Sequence, residues 1–200
     1  IPIPNSLKEQ QQIVDEIEKQ FTRLDASVKD LKSVKGKFEV YRKSVLKKVF
    51  NLECEFKPLG TLLKTTSGGT PYRANKSFYQ GTIPCLKSGE LCDNLNILDS
   101  EEHITEEAID KSSAKLFPKN SVLIAMYGAT TGKIGIIRNP CTTNQAVCGI
   151  LPSEEYVPEF TYYFLLNMRQ NLINQGKGGA QPNISQGIIK ATAFPIIDKN

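Results

Sequence analysis

The sequence contains no tryptophan, only two methionines and a single histidine among its 200 residues. That histidine, His103, follows Glu101 and Glu102 and has no candidate nucleophile near it in the sequence. A surface histidine is therefore favoured over a general base. The sequence also lacks an apolar run of membrane-spanning length and a recognisable signal peptide. We therefore expect a cytoplasmic protein.

Cysteine is present in an odd number, and its spacing is not that of a typical zinc site. Cys85 and Cys92 repeat the separation of Cys141 and Cys148, so a metal site is conceivable. Structural zinc pairs, however, usually lie about two to four residues apart. Small buried thiols are the favoured interpretation of these four cysteines and of Cys54. No metal and no cofactor is predicted.

Two short motifs resemble parts of nucleotide-binding or methyl-transfer sites but lack essential residues. Residues 128–133 are one residue short of a phosphate-binding loop, and Ile134 stands where a magnesium-binding Ser or Thr is needed. Residues 139–142 lack the second proline and the aromatic residue with which amino-methyltransferases hold a flipped base. The sequence therefore predicts no catalytic residue.

The N-terminal quarter carries a seven-residue apolar repeat, which is typical of a coiled-coil helix. The repeat predicts a helix from about Ser6 to Leu52, roughly 65–70 Å long at about 1.5 Å per residue. Ser6 and Glu9 form a capping-box pattern at its start. Such a stripe is too long to be buried against one small domain, so we expect a partner helix. The predicted dimer seam consists of Val14, Ile17, Phe21, Leu24, Val28, Leu31, Phe38 and Val45.

Charge is distributed unevenly along this helix. Lys35 and Arg42 occupy a positions of the repeat, where charged residues cost stability but restrict register and partner choice. Further lysines crowd the second half, so the net charge of only +4 conceals a basic end of the rod. That end is compatible with a nucleic-acid backbone or an acidic partner, although a merely solvated face is the simpler explanation.

The remaining residues are typical of an α+β domain built from short strands and turns. Strands are predicted at residues 81–86, 122–127, 134–137, 146–151 and 193–197, and helices at residues 104–108 and 158–174. The second and third of these strands form a predicted hairpin. The predicted fold class is therefore α+β, with a long coiled-coil-forming helix followed by a mixed α/β domain that has a twisted, largely antiparallel sheet.

Four polar, glycine-containing loops separate these elements. Backbone amides freed by glycine suit phosphate contacts, and long polar side chains can form paired hydrogen bonds with purine edges. We expect Gly68 and Gly69 to supply unusual backbone dihedrals. Each loop alone is explained as an ordinary turn, but four in one small domain favour a binding surface. The loops span residues 64–76, 87–90, 127–133 and 177–185.

A series of short segments runs through nearly the whole chain in an order that is specific when the segments are taken together. The segments are residues 7–14, 43–50, 67–71 (Ser-Gly-Gly-Thr-Pro), 81–84, 86–90, 122–133, 143–147 (Thr-Asn-Gln-Ala-Val) and 179–185. In their order and spacing they resemble the specificity (S) subunits of type I restriction-modification systems.

The resemblance implies a conserved spacer and dimerisation helix at residues 1–55 and a target-recognition domain at residues 56–200. Family members carry two such helices, packed antiparallel, and two such domains, which read a bipartite DNA site. The implied partners are double-stranded DNA, the modification (methyltransferase) subunits, the restriction/translocase subunits, and a second copy or second half of the S subunit, with no membrane. Since one copy of each element is present, we expect a fragment of a full subunit or a half-subunit that dimerises.

The function implied by the resemblance is non-catalytic recognition of half of a bipartite DNA target, together with scaffolding of the modification and restriction subunits. A coiled-coil adaptor whose globular domain binds protein is the alternative, and a methyltransferase fragment is disfavoured by the missing motifs. Loop residues chosen for their chemistry are the candidate DNA contacts: Lys64, Ser67, Thr70, Tyr72, Arg73, Lys76, Lys87, Ser88, Tyr127, Thr130, Lys133, Lys177, Gln181 and Asn183.

Overall fold

A computed structural model describes residues 6–51, 53–176 and 183–196 of the chain. Contacts between residues divide the chain into two compact units, residues 1–49 and residues 50–200, and each is described by itself. None of the helices in the described residues combines the length and the apolarity that crossing a bilayer requires.

The first unit is a single helix, α1, which spans Leu7–Val49. Ser6 caps its N-terminus, since the Ser6 hydroxyl accepts a hydrogen bond from the Glu9 amide at 3.2 Å. The helix is about 65 Å long at about 1.5 Å per residue. None of its residues is buried, and the predicted seam residues are exposed to between 39% for Val28 and 69% for Leu31. The apolar stripe is therefore available to a partner.

Helix α1 ends at Val49, earlier than the predicted end near Leu52, which lies outside the described residues. Phe50 already belongs to the second unit. Its ring packs edge-on against Phe160 and Phe164, with centroid distances of 5.5 and 5.6 Å. Aromatic pairs in this geometry are favourable, so Phe50 adds to the core of the second unit.

The second unit contains ten strands and four helices among its described residues. In chain order they are β1 (Phe56–Pro58), α2 (Leu59–Leu62), β2 (Thr65–Ser67), β3 (Ile83–Leu86), β4 (Asn94–Ile97), β5 (His103–Ile104), α3 (Glu106–Asp110), β6 (Val122–Ala125), β7 (Ile134–Ile137), β8 (Thr142–Thr143), β9 (Val147–Ile150), α4 (Pro158–Gln175), α5 (Gln186–Ala191) and β10 (Ala193–Pro195). Two short 3₁₀ helices span Lys76–Tyr79 and Ser88–Glu90.

The strands form three sheets. The largest has the order β2–β9–β6–β7–β4, and each of its pairings is antiparallel except that of β4 with β7. In the sheet β5–β3–β8, strand β3 pairs antiparallel with β5 and parallel with β8. Strands β1 and β10 form an antiparallel pair. The predicted mixed α/β domain with largely antiparallel pairing is confirmed, although its strands form three sheets rather than one.

Strand β6 lies at the centre of the core. All of its residues are buried, because β7 and β9 pair with its two edges and both of its faces meet apolar side chains. Ile124 belongs to a cluster with Phe164, whereas Leu123 belongs to a second cluster with Phe117. A strand buried on both faces reads as a continuous apolar run, and this is why the sequence predicts it.

The elements that the sequence misses are short. The predicted strands in the middle of the domain and the two predicted helices are present, with ends shifted by a few residues. Strands β1, β2, β4, β5 and β8 and helices α2 and α5 are not predicted, because elements of two to six residues show no readable periodicity.

Gly149 in β9 provides a test of this packing. A Cβ atom at Gly149 would lie 2.2 Å from Cε1 of Phe117, a fully buried ring. We expect Gly149→Ala to lower the free energy of unfolding by about 1–3 kcal/mol, because the added methyl overpacks the core. Urea unfolding followed by circular dichroism measures the loss.

Gly89→Ala is the matched control, since a Cβ atom at Gly89 would meet nothing within 4 Å. We expect it to change the free energy of unfolding by less than about 0.5 kcal/mol. Equal unfolding midpoints for the two variants would show that the Phe117 ring moves aside without cost and would contradict the packing argument.

Candidate nucleic-acid interface

Loops that are far apart in sequence meet at one end of the five-stranded sheet. The Gly68 amide, just after β2, donates to the Val147 carbonyl at 3.0 Å. The Met126 amide, just after β6, donates to the Ala146 carbonyl at 2.7 Å. These bonds bring the loop after β2, the β6–β7 turn and the β8–β9 connection together.

Two further main-chain bonds bring two more segments to the same end. The Asn144 amide donates to the Leu86 carbonyl at the end of β3 at 3.1 Å. The Ile184 amide, ahead of α5, donates to the Met126 carbonyl at 2.7 Å. We call the resulting surface the loop edge, and it comprises residues 67–70, 86–88, 126–133, 143–147 and 183–186.

Most of the predicted DNA contacts lie on the loop edge. They are Ser67, Thr70, Lys87, Ser88, Tyr127, Thr130, Lys133 and Asn183. Tyr72, Arg73 and Lys76 lie in the segment that follows Thr70. Lys177 and Gln181 lie outside the described residues.

Lys64 is separated from the loop edge. Its carbonyl accepts a hydrogen bond from the Leu151 amide at 2.8 Å, beyond the end of the β2–β9 pairing. Ser67, at the other end of that pairing, faces Cys148. Because strand β2 lies between them, Lys64 and Ser67 are at opposite ends of the sheet. Lys64 is therefore not part of the loop edge, and its role as a DNA contact stays a prediction.

Gly68 and Gly69 allow the β2 loop to approach its neighbours closely. A Cβ atom at Gly68 would lie 2.0 Å from the Thr143 hydroxyl oxygen, and one at Gly69 would lie 2.2 Å from the Ser113 carbonyl oxygen. Neither glycine has a positive φ, so the predicted need for glycine dihedrals is wrong here. The glycines are required for space.

Side-chain hydrogen bonds hold the polar groups of the loop edge in place. The Ser67 hydroxyl donates to the side-chain oxygen of Gln186 at 3.3 Å, and the Gln186 amide nitrogen donates to the Thr65 hydroxyl at 3.1 Å. The Thr70 hydroxyl donates to the side-chain oxygen of Gln145. The β2 loop is thus fastened to α5 on one side and to the β8–β9 connection on the other.

Asp93, just ahead of β4, anchors the β6–β7 turn. Its carboxylate accepts hydrogen bonds from the Lys133 ammonium at 3.0 Å and from the Ile134 amide at 3.2 Å, and it forms an ion pair with Arg169. The Tyr162 hydroxyl donates to the Asp93 carbonyl at 2.8 Å. Asp93 has φ 57°, a left-handed conformation that Asp and Asn tolerate. Lys133 is therefore held by an ion pair, yet its side chain remains 44% exposed, so its role as a DNA contact stays a prediction.

The pKa of Asp93 is lowered by these partners. Burial by itself raises the pKa of the carboxyl, but the hydrogen bonds from Lys133 and Arg169, the charge of Arg169 and the Ile134 amide outweigh it. The carboxylate therefore stays ionised, and with two cations around it the cluster keeps a net positive charge.

Glu102 holds two of the predicted basic contacts. Its carboxylate lies 2.6 Å from Nη1 of Arg73 and 3.7 Å from Nζ of Lys87. The Arg73 guanidinium also lies 4.6 Å from the centre of the Tyr79 ring. The hydrogen bond to Glu102 raises the pKa of Arg73. Since the side chains of Arg73 and Lys87 remain 50% and 45% exposed, both cations are positioned and still accessible.

The cysteines and the histidine do not form a reactive site in the described residues. Cys85, Cys141 and Cys148 are buried as predicted, whereas Cys54 and Cys92 are exposed, contrary to prediction. Burial raises the pKa of Cys141 and of Cys148 to about 12, so both remain thiols.

His103 lies at the surface, with Nε2 2.8 Å from Oδ1 of Asp99 and a side chain that is 33% exposed. The residues described contain no group of three potential metal ligands.

Residues that the sequence does not single out as contacts complete the loop edge and its surroundings. Gln145 is exposed between Asn144 and Ala146, and Gln186 begins α5. Lys115 approaches from the segment after α3, and its ammonium donates to the Thr66 hydroxyl at 2.8 Å. The polar run that includes Gln145 is a usable sequence signal, whereas nothing in the sequence marks Lys115.

Comparison with known proteins identifies the family. Residues 39–199 match the family model of the type I restriction modification DNA specificity domain. The chain is 30% identical over 213 residues to the type I restriction enzyme EcoR124I/EcoR124II specificity subunit of Escherichia coli, covering 100% of the chain and 52% of that subunit. It is 28% identical over 145 residues to the MjaIX specificity subunit of Methanocaldococcus jannaschii, covering 70% of the chain and 33% of that subunit. The chain therefore belongs to the type I restriction modification DNA specificity domain family, and the resemblance inferred from its motifs is confirmed.

Two solved structures share the fold. One comes from work described as "Structural basis underlying complex assembly and conformational transition of the type I R-M system", with a TM-score of 0.71 and 19% identity over 98% of this chain and 49% of that chain. The other is the HsdS subunit from Thermoanaerobacter tengcongensis. Its TM-score is 0.58 and its identity 18%, over 98% of this chain and 48% of that chain. The chain thus spans about half the length of the relatives that it matches over its whole extent.

The Asp93 cluster predicts a pH-dependent loss of stability. We expect Asp93→Asn, which retains the shape and the left-handed backbone preference, to lower the free energy of unfolding by about 2 kcal/mol at pH 7, because Arg169 and Lys133 lose their anion. The stabilisation by Asp93 is present above the unfolded-state pKa of about 3.9 and is lost as the pH falls through the lowered native pKa. The difference from the parent chain should therefore shrink below about pH 4.

Asp110→Asn is the control, because Asp110 is exposed at the end of α3. It should change the free energy of unfolding by less than about 0.5 kcal/mol at pH 7. Urea titrations at several pH values measure both variants. A stability difference between Asp93→Asn and the parent that is constant from pH 7 to pH 3 would contradict the ion-pair assignment.

Proposed function

We propose that the chain is a non-catalytic DNA sequence-recognition unit of a type I restriction-modification system, which binds half of a bipartite DNA target in the cytoplasm. One observation carries this proposal: segments distant in sequence are joined by main-chain hydrogen bonds into a single polar surface with basic residues on and around it. Because the chain belongs to a DNA specificity domain family, DNA is the ligand that we assign to this surface.

Basic residues at and beside the loop edge supply affinity that does not depend on sequence. Lys76 and Lys115 are exposed, and Lys87 and Arg73 are about half exposed while held by Glu102. Each lysine or arginine that neutralises a phosphate releases a condensed counterion, so binding weakens as the salt concentration rises. The Glu102 carboxylate fixes where two of these charges stand.

Polar side chains between these charges supply base discrimination. Gln145 and Asn183 are exposed amides, and an amide side chain can form two hydrogen bonds with one adenine. Tyr72 is 73% exposed and presents a flat apolar ring with a hydroxyl. A good paired contact contributes about 1–3 kcal/mol of discrimination. In this proposal Lys133 holds the β6–β7 turn in place through Asp93, and its half-exposed ammonium also faces the DNA.

The N-terminal region, residues 1–55, is the spacer in this proposal, and residues 56–200 are the target-recognition domain. A helix about 65 Å long corresponds to about two turns of B-DNA at about 34 Å each. Its exposed apolar stripe would pack against the antiparallel helix of a second copy or second half of the subunit. The same assembly would scaffold the modification and restriction/translocase subunits, which carry out the chemistry.

DNA binding by the loop edge is tested by the salt dependence of its variants. We expect Lys87→Ala to weaken binding to random duplex DNA and to reduce the slope of log K against log salt by about 0.9, the contribution of about one phosphate contact. Fluorescence anisotropy over a series of salt concentrations measures the slope.

Lys119→Ala is the matched control, because Lys119 is exposed beside Asn120, whose amide bonds to Ile137 at the opposite end of the sheet. It should leave the slope unchanged. Parent affinity that does not respond to salt would overturn the DNA-binding proposal and favour the protein-binding adaptor.

Dimerisation through the seam is tested by removing its central leucines. We expect Leu24→Gln combined with Leu31→Gln to give a monomer at micromolar concentration, because each helix loses two apolar side chains from the centre of the seam. The second unit should remain folded. Val40→Gln is the control, since Val40 is 69% exposed on the face away from the seam. Analytical ultracentrifugation measures the oligomeric state of each variant. A parent chain that is monomeric while α1 is intact would contradict the proposal.

A further inference from the structure

Helix α1 carries charges beside its apolar seam that lack partners within the helix. Lys35 and Arg42 occupy a positions inside the seam, and Glu18 and Asp25 occupy e positions that border it. Within the described residues of α1, none of these four side chains forms an ion pair. Glu16, on the outer face, does pair with a lysine of the same helix, at 3.4 Å. The seam charges are thus available to another molecule.

These charges discriminate between the two orientations of a paired helix. In a parallel in-register pair, each a position faces the same a position of its partner. Lys35 would then meet Lys35, and Arg42 would meet Arg42, in successive a layers of the seam. Buried like charges without carboxylates are strongly unfavourable. An antiparallel pair avoids both contacts, because each a position then faces a d position.

We propose that α1 of a second copy of this chain occupies the seam, antiparallel, in the single register in which Val28 of one copy faces Leu31 of the other. This inference rests on the proposed function, whose dimerisation it deepens. The layers that follow outward pair, in order, Leu24 with Lys35, Phe21 with Phe38, Ile17 with Arg42 and Val14 with Val45 of the second copy.

Charge complementarity selects this register. An e position borders the facing a position in an antiparallel pair, so Lys35 lies beside Asp25 of the second copy and Arg42 lies beside Glu18. Two-fold symmetry forms each of these contacts twice. One unfavourable pair also arises, between Glu18 and Glu39 of the second copy, but Arg42 lies between the two carboxylates and offsets their repulsion.

The two registers that are shifted by one heptad are poorer electrostatically. If Arg42 faces Gln10, Asp25 meets Asp25 of the second copy and Arg42 has no carboxylate beside it. If Arg42 faces Leu24, Lys32 meets Lys32 of the second copy. Only the proposed register gives both seam cations a carboxylate. Polar and charged a residues are known to specify register in this way.

Disulfide cross-linking of the full chain tests the register directly. The exposed thiols are removed by Cys54→Ser and Cys92→Ser, while the buried cysteines remain. Chains carrying Val14→Cys or Val45→Cys, one of them with a size tag, are mixed and oxidised. The proposed register places these two positions opposite each other, so a mixed disulfide dimer is expected on a non-reducing gel.

The other arrangements predict different products. One shifted register cross-links Val14→Cys with Phe38→Cys, and the other cross-links Phe21→Cys with Val45→Cys. A parallel pair cross-links Val14→Cys with itself. Any of these as the main product, in place of the Val14–Val45 disulfide, overturns the inference.

A charge exchange tests the electrostatic cause. We expect Arg42→Glu to raise the dimer dissociation constant about tenfold, because it places a carboxylate beside Glu18 at two symmetric sites. Adding Glu18→Arg to the same chain should restore most of the affinity. Lys43→Glu is the matched control, because it makes the same charge change one residue away, outside the seam, and it should change the constant by less than about threefold. Equal effects of Arg42→Glu and Lys43→Glu would overturn the assigned contact.

The outcomes separate this inference from the proposed function. A chain that stays monomeric contradicts both the register and the proposed dimerisation. A dimer that cross-links through another pair contradicts the register alone. A Val14–Val45 disulfide in a chain whose DNA binding does not respond to salt supports the register and contradicts the DNA-binding proposal.

Discussion

The burial of strand β6 is the constraint on which the rest of the second unit depends. Both of its edges are paired and both of its faces are covered, so its end at Ala125 has a fixed position. The Ala125 amide and carbonyl bond to Lys133 and Gly132 and close the β6–β7 turn, each at 2.8 Å. A strand of this length spans only about 13 Å at about 3.3 Å per residue. Loops that leave the sheet at the same end as Ala125 therefore meet one another, and the loop edge is the result.

The sequence predicts the central elements well because local signals specify them. Residues 122–125 and 134–137 are apolar runs separated by a turn that contains Gly128 and Gly132, and this pattern predicts a hairpin. In the structure these two glycines have φ 87° and 79°. The convergence of the loops, unlike the hairpin, depends on contacts between residues that are distant in sequence. The bond from the Asn144 amide to the Leu86 carbonyl depends on parallel pairing between β3 and β8, a contact between distant residues with no local signature. The loops are predictable as loops, and their assembly into one surface is not.

Electrostatics explains why single site residues are hard to choose from sequence. Lysines on glycine-containing loops look alike, yet Lys133 donates a hydrogen bond to Asp93, forty positions away, whereas Lys87 lies 3.7 Å from Glu102, and both side chains stay about half exposed. Arg138 is engaged still further: its guanidinium bonds to the Asn120 side chain at 3.0 Å and to Glu159 at 2.6 Å. A cation's role is decided by carboxylates that the fold brings to it. Composition shows that cations are present, but only the fold shows which of them pair with a carboxylate inside the domain.

In helix α1 the sequence carries an apolar stripe and charged seam positions that have no role within the helix itself. An isolated helix gains no burial, and Gly36 weakens it by about 1 kcal/mol relative to alanine. In the proposed dimer, covering the apolar stripe with another helix supplies the stability that the helix lacks alone. Leucine at the two charged a positions would make that pairing stronger but would allow several registers to compete. In the proposed dimer, Lys35 and Arg42 lower the stability of every pairing and lower it least where a carboxylate lies opposite, so the same two residues that weaken the seam also make it selective.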